Sequence, residues 1–197
     1  MEDRIAALVG GELDRVPSQL RPFMEKAGKD DPDQKVMMTL GYMAYAYGRA
    51  FEEFATEAVK EWPKKDYIAQ PICYLARHSM ELRLKWAVGA YQDYLGGQTT
   101  KTDHHNLMKL WNTLTKLLSD AGAPADDEYT TYILKLLNHI NEMDSDGEQF
   151  RYPHAKDGQV FELAKIELEG LLKAYWHISR YAEGSVEMLS ELGDEDS

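Results

Sequence analysis

The stretch Tyr67–Leu95, YIAQPICYLARHSMELRLKWAVGAYQDYL, predicts the long central helix around which this chain folds. Apolar residues recur along it at the three- and four-residue steps of an α-helix. The pattern predicts a helix from about Asp66 to Gly96 and Gly97, because glycine commonly follows the last turn of a helix. Four ionisable side chains lie near its middle: Arg77, His78, Glu81 and Lys85.

The segments on both sides also carry a helical pattern, and the two-residue alternation of strands is nearly absent. The further helices are predicted at Asp33 to about Glu61, Asp103–Gly122, Asp126 to about Met143, and Val160 to about Leu192. We therefore expect an all-α fold, an up-down helical bundle with five main helices. Four of them form the core, and short N-terminal helices pack outside.

The link between the first two long helices is short, so they are expected to pack antiparallel. Counting outward from this link places Trp86 opposite Gly41, and Ser79 opposite Gly48. A glycine inside a helix costs about 1 kcal/mol relative to alanine. The two glycines therefore indicate a close approach between these helices.

The length of 197 residues suits one domain with a small appendage. We expect an N-terminal helical appendage at residues 1–31, a helical bundle domain at 32–192 and an acidic tail at 193–197. The single cysteine, Cys73, excludes an internal disulfide. The start of the sequence has no leader pattern, and no uncharged apolar run is long enough to span a bilayer. We expect a cytoplasmic protein.

The net charge of -12 argues against a broad surface for nucleic acid or anionic lipid, since such binding needs clustered Lys and Arg. An acidic surface suits a basic protein partner or self-association better, and no membrane partner is expected. On the first long helix, Tyr42, Tyr45, Arg49 and Glu52 share one face. This face is either plain helix surface or a dimer contact, and the two neighbouring tyrosines favour the contact.

Arg77, Glu81 and Lys85 are spaced four apart on the central helix, so they share a face, with His78 beside them. One interpretation is a solvated face whose exposed ion pair contributes only about 0.3–0.5 kcal/mol. The other is a polar cluster with a function. The sequence leaves both open.

A loop predicted at Asp144–Gly158 supplies a second polar group. At its centre are Phe150, Arg151, Tyr152, Pro153 and His154. The aromatic residues and the proline predict a docked loop that presents Arg151 to a carboxylate, with Glu81 as the candidate partner. This arrangement is either a structural clamp or an anion site, in which a histidine moves protons near neutral pH.

Three pieces of the sequence carry a resemblance to a known class of proteins. They are Arg-His-x-x-Glu-Leu-x-Leu-Lys at Arg77–Lys85, His-x-Leu at His105–Leu107, and Phe-Arg-Tyr-Pro at Phe150–Pro153. Together they resemble uncharacterised bacterial proteins of the HEPN-like helical class, over about Asp66–Leu192. Members of that class are helical bundles, often dimeric, and many are RNA-cutting toxins or phage-defence effectors. Their catalytic pattern, an arginine followed after four to six residues by a histidine, is absent from this sequence.

The resemblance implies a binding or regulatory module of a bacterial phage-defence or toxin–antitoxin system, acting through a protein partner or through self-association. The alternative is a metal-independent ribonuclease that binds RNA. In that alternative His78 or His154 acts as the catalytic acid/base. The phosphate is held by Arg77, Lys85 and Arg151, and Tyr152 belongs to the same polar cluster.

A metal site is disfavoured by the order of the candidate ligands. The pairs His78–Glu81 and His139–Glu142 each lie three apart, but di-metal bundles use the order Glu then His, with further inward carboxylates. His104 and His105 are predicted to open a helix, where neighbouring side chains diverge by about 100°. We expect no metal ion and no cofactor.

Overall fold

The computed structural model describes residues 31–63, 66–97, 102–162 and 165–195, with the backbone alone over 190–195. Six α-helices lie in these ranges, and the described residues form no strand. They are α1 (Pro32–Met37), α2 (Leu40–Val59), α3 (Ala69–Tyr94), α4 (Leu107–Asp120), α5 (Glu128–Met143) and α6 (Leu168–Glu195), with a 3-10 turn at Asp66–Ile68 before α3. The predicted all-α bundle is confirmed. No helix among these described residues is long and apolar enough to cross a lipid bilayer.

The chain divides into two units, Met1–Lys35 and Val36–Ser197. The predicted appendage at 1–31 lies outside the described residues, apart from Asp31. Of the predicted tail at 193–197, only the backbone of the end of α6 is described.

Helix α3 lies at the centre of the second unit and packs against α2, α4 and α6. Because three helices cover it, α3 is buried around most of its circumference. Along its length Ile72, Ser79 and Leu82 are buried, while Leu75 and Trp86 are half-buried. Burial reaches the charged positions as well, which the sequence pattern did not predict.

The predicted pairing of α2 with α3 is confirmed at both glycines. A Cβ atom built on Gly41 would lie 3.4 Å from the Trp86 ring. One built on Gly48 would lie 3.1 Å from Ser79 Oγ and would collide with the hydroxyl of Tyr175 on α6. Ser79 Oγ donates a hydrogen bond to the carbonyl oxygen of Ala44, 2.7 Å away. Gly48 therefore lies where α2, α3 and α6 meet.

The single helix predicted from Asp33 to Glu61 is two helices, interrupted at Met38 and Thr39. Thr39 has an extended backbone, and its Oγ1 accepts a hydrogen bond from the Tyr42 amide at 3.2 Å. A threonine in this position satisfies one of the free amides at a helix N-terminus. Thr39, and not Asp33, therefore caps the long helix.

The start of α4 also differs from the prediction. Asn106, and not Asp103, is the capping residue, and its Oδ1 accepts from the Lys109 amide at 2.9 Å. His104 and His105 consequently precede the helix instead of opening it. For α5 the predicted start near Asp126 is confirmed, because Asp127 caps the helix through the Thr130 amide.

The last helix begins at Leu168, eight residues after the predicted Val160. Val160 pairs instead with His154 in an isolated antiparallel bridge, and the Phe161 amide donates to the carbonyl oxygen of Pro153. The predicted loop therefore continues past Gly158 and folds back on itself. Ala164, which the predicted helix would include, lies outside the described residues.

Candidate functional site

Helix α3 places Arg77 and Glu81 one turn apart on its buried side. Arg77 Nη1 lies 3.0 Å from Glu81 Oε2, and the two side chains are only 4% and 3% exposed. The interpretation of these residues as a solvated helix face is therefore wrong. A buried charge is tolerated only where partners satisfy it, so the remaining contacts of this pair matter.

Arg77 binds two other parts of the chain besides α3. Its Nε donates to the carbonyl oxygen of Asp144 at 3.0 Å and lies 3.3 Å from Asp144 Oδ2. Its Nη2 donates to the carbonyl oxygen of His105 at 2.5 Å. The guanidinium thus joins α3 to the segment after α5 and to the segment before α4.

Glu81 is the acceptor at the centre of the cluster. Its Oε1 receives Lys85 Nζ at 2.8 Å and His105 Nδ1 at 2.9 Å, while Oε2 receives Arg77. Burial alone would raise the pKa of Glu81, but the hydrogen bonds and charges of Lys85 and His105 outweigh it and hold the pKa below its usual range. Glu81 is therefore ionised at neutral pH.

Asp144 is a cluster residue that the sequence analysis missed. Its carboxylate is buried, and Oδ1 accepts from the amides of Glu148 and Gln149 at 2.8 and 3.1 Å. An aspartate directly after a helix, followed by a glycine three residues later, is typical of a side-chain-stabilised turn. Gly147 has a φ of 74°, and a Cβ there would lie 2.9 Å from Arg77 Nη1. The turn therefore packs directly on the guanidinium.

His78 lies beside this cluster between two tyrosines. Its ring is 4.5 Å from that of Tyr47, edge to face, and 5.4 Å from that of Tyr74, stacked. Burial lowers the pKa of His78; the charge of Glu81 opposes this, and the nearby arginines and Lys85 reinforce it. His78 is therefore a neutral packing residue at pH 7.

The predicted pairing of Arg151 with Glu81 is wrong. Arg151 is exposed, its Nε donates to the carbonyl oxygen of Gly147, and its guanidinium lies 5.4 Å from the centre of the Tyr152 ring. Arg77 takes the place of Arg151, since it reaches Glu81 from one turn away on the same helix. The aromatic residue beside Arg151 holds the arginine at the surface and does not bury it.

A surface depression of about 470 Å³ lies next to the buried cluster. It is lined by His105, Glu148, Arg151, Tyr152, Pro153, His154, Ala155 and Lys156. The structure thus brings together Arg151, Tyr152 and His154 of the predicted site. It separates them from Arg77, Glu81 and Lys85, which lie beneath the surface. His105, whose side chain is 52% exposed, touches both groups.

No family model, curated protein or solved structure matches this chain. The candidate site accordingly rests on its own geometry, and the HEPN-like resemblance stays a prediction from the three motifs. Within the described ranges, no three His, Cys, Asp or Glu side chains are grouped so that they could hold a metal ion.

A second concave feature is an apolar cavity of about 500 Å³ between α3, α5 and α6. It is lined mainly by aliphatic side chains and by Cys73. Burial raises the pKa of the Cys73 thiol to about 12, with a smaller contribution from the charge of Asp144. The thiol is therefore protonated at neutral pH and is a poor nucleophile.

Proposed function

We propose that this chain is a helical binding module that associates with a second copy of itself through one face of α2. The carrying observation is an exposed aromatic surface on that helix, where Tyr42 and Tyr45 are 37% and 57% exposed. In contrast, the charges of the buried cluster are satisfied within the chain. Exposed aromatic side chains next to arginine are enriched where proteins associate.

The same face carries charges of both signs, which favour a two-fold contact. Arg49 pairs with Glu52 at 3.0 Å and with Glu53 at 3.4 Å, and all three side chains are well exposed. In a two-fold arrangement, Arg49 of each copy can meet a glutamate of the other. The arginine matters because the whole chain, at a net charge of -12, repels itself elsewhere.

An adjoining feature extends this surface toward α6. Glu52 and Trp176 line the same shallow hollow of about 300 Å³, and Trp176 is largely exposed. A tyrosine from a second copy would fill such a hollow. A HEPN-like identity, a setting in phage defence or in a toxin–antitoxin pair, a further protein partner and a cytoplasmic location belong to the proposal, and the resemblance and composition alone support them.

The test is the mass in solution, measured by sedimentation velocity across the micromolar range. We expect a dimer for the natural chain and a monomer for Tyr45→Glu. The matched control is Tyr67→Glu, which places the same charge on another exposed tyrosine, before α3, and should leave the dimer intact. A natural chain that stays monomeric throughout, or a dimer that survives Tyr45→Glu, would overturn the proposal.

A metal-independent ribonuclease is a second candidate, favoured by one observation. His105, oriented by a buried carboxylate, lines the same depression as His154 and Arg151. In this version His105 replaces His78 as the second histidine, because His78 is enclosed by tyrosines. RNA cleavage that is lost in both His105→Ala and His154→Ala would support it. Absence of RNA cleavage by the natural chain would rule out the ribonuclease function.

A further inference from the structure

His105 is held in one orientation by the buried cluster. Its Nδ1 lies 2.9 Å from Glu81 Oε1, and its carbonyl oxygen accepts from Arg77 Nη2. An ionised carboxylate can only accept hydrogen bonds, so Nδ1 carries the ring proton. The other ring nitrogen, Nε2, is left for a group outside the cluster. This side chain is about half exposed and lines the depression.

The depression also fixes an arginine at its wall. Arg151 is held by the Gly147 carbonyl oxygen and by the Tyr152 ring, so its position depends on two neighbours within the same loop. Further along the loop, His154 belongs to the bridge with Val160, which pins the backbone there. Contacts elsewhere in the chain thus order the segments that carry His105, Arg151 and His154.

The charge of the lining is opposite to that of the whole chain. Among the lining residues, Arg151 and Lys156 outnumber the single acid, Glu148, which pairs with Lys156 at 2.6 Å, and Asp146 also acts on Lys156 from outside the lining. Arg151 donates instead to a neutral acceptor, the carbonyl oxygen of Gly147. In a chain with a net charge of -12, this lining is a local cationic spot. An anion is the ligand that such a spot favours.

We propose that this depression binds the phosphoryl group of a small phosphorylated molecule. Its volume of about 470 Å³ lies within the range of about 300–1,000 Å³ found for small-molecule sites. Arg151 offers the planar pair of donors that suits phosphate oxygens. His105 lies between Glu81 and the depression, so its imidazolium form donates from Nδ1 to Glu81 and from Nε2 to a phosphoryl oxygen. Neither self-association through α2 nor cleavage of RNA is required.

The test is a titration followed by NMR of the histidine side chains, with three probes. Inorganic phosphate and adenosine 5′-monophosphate should shift the His105 ring signals saturably toward the doubly protonated form, and adenosine should not. Tighter binding of the monophosphate would identify a phosphate ester stacked on Tyr152, whereas equal binding would identify free phosphate. Absence of a saturable shift with both phosphorylated probes would overturn the proposal.

Single substitutions distinguish phosphate binding at the depression from a nonspecific electrostatic attraction of anions to the protein. Arg151→Gln should weaken phosphate binding about tenfold, since it removes a charge-assisted hydrogen bond. Lys156→Gln removes a lysine whose side chain is 90% exposed and should weaken phosphate binding by a smaller factor. The matched control, Arg180→Gln, removes an exposed arginine that lies against Trp176 and should change nothing.

Two results would contradict this assignment. If Arg180→Gln weakens binding as much as Arg151→Gln, the attraction is not localised at the depression. If a short oligoribonucleotide binds while phosphate and adenosine 5′-monophosphate do not, the ligand is not a small molecule. Because the readout is binding at His105, its failure is distinguishable from a failure to dimerise.

Discussion

Arg77 and Asp144 are 67 positions apart in the chain, yet Arg77 Nε lies 3.0 Å from the carbonyl oxygen of Asp144 and 3.3 Å from its carboxylate. The contact ties the turn after α5 to the middle of α3. The same guanidinium binds Glu81 and the backbone of His105. The position of the surface depression therefore depends on Arg77, which is buried and does not line the depression.

Replacing Arg77 by methionine should lower the free energy of unfolding by about 3–5 kcal/mol, because Glu81 and Asp144 lose a buried cationic partner. Urea denaturation followed by circular dichroism measures this. The control is Lys60→Met, which breaks an exposed pair with Glu57 and should cost at most about 1 kcal/mol. Equal losses in the two variants would show that the buried network contributes no more than a surface pair.

Substituting Gly147 by alanine should destabilise the protein more than the same change at Gly158. Both glycines have a positive φ, 74° and 87°, so alanine is strained by about 1–2 kcal/mol at either position. Only at Gly147 does the added Cβ meet another residue, Arg77. Overpacking should therefore lower the free energy of unfolding of Gly147→Ala by about 1–3 kcal/mol more than that of Gly158→Ala, as measured by thermal or urea unfolding. Equal effects would mean that Arg77 shifts without cost.

Alanine at two helical glycines should act in opposite directions. At Gly48 the methyl group collides with the Tyr175 hydroxyl, and we expect a loss of about 1–3 kcal/mol. At Gly89 on α3 a Cβ meets nothing within 4 Å, and we expect a gain of about 0.5–1 kcal/mol from helix propensity. Urea denaturation of the two variants side by side checks both signs, and stabilisation by Gly48→Ala would contradict the three-helix contact.

We expect the protein to lose stability through His78 as the pH falls below 6.5, the usual pKa of a histidine side chain. Its pKa is lowered in the folded state, so between that lowered value and 6.5 the unfolded chain binds more protons. The free energy of unfolding therefore decreases as the pH falls through this window. His78→Gln should flatten the decrease between pH 7 and pH 5 in urea unfolding curves. An unchanged slope would show that burial between the tyrosines has no effect on titration.

The helical fold could be predicted because its determinants are local or nearly so. The apolar period of α3, the short link before it and the glycines of α2 together specify which residues meet, and Gly41 does lie against Trp86. The start of α4 could not be predicted, since Asp103 and Asn106 are both good capping residues. A tertiary contact distinguishes them: Asn106 Nδ2 donates to the carbonyl oxygen of Ser145.

The candidate site could be predicted only in part for the same reason. Helical spacing brings Arg77, Glu81 and Lys85 together, and the structure agrees on that grouping. Asp144 and His105 reach Glu81 and Arg77 through turns whose course no local pattern specifies. The error over Arg151 has a physical cause: a partner one turn away on the same helix is already ordered, whereas a distant loop must lose more entropy to reach the same carboxylate.

The solitary thiol on α3 gives this protein an internal reporter. Cys73 is only 5% exposed, so a thiol reagent such as Ellman's reagent can react with it only in molecules whose helices have separated. Since the sequence contains one thiol, every labelling event reports the same opening. The labelling rate, divided by that of a free thiol, gives the population of opened molecules in native buffer without any denaturant.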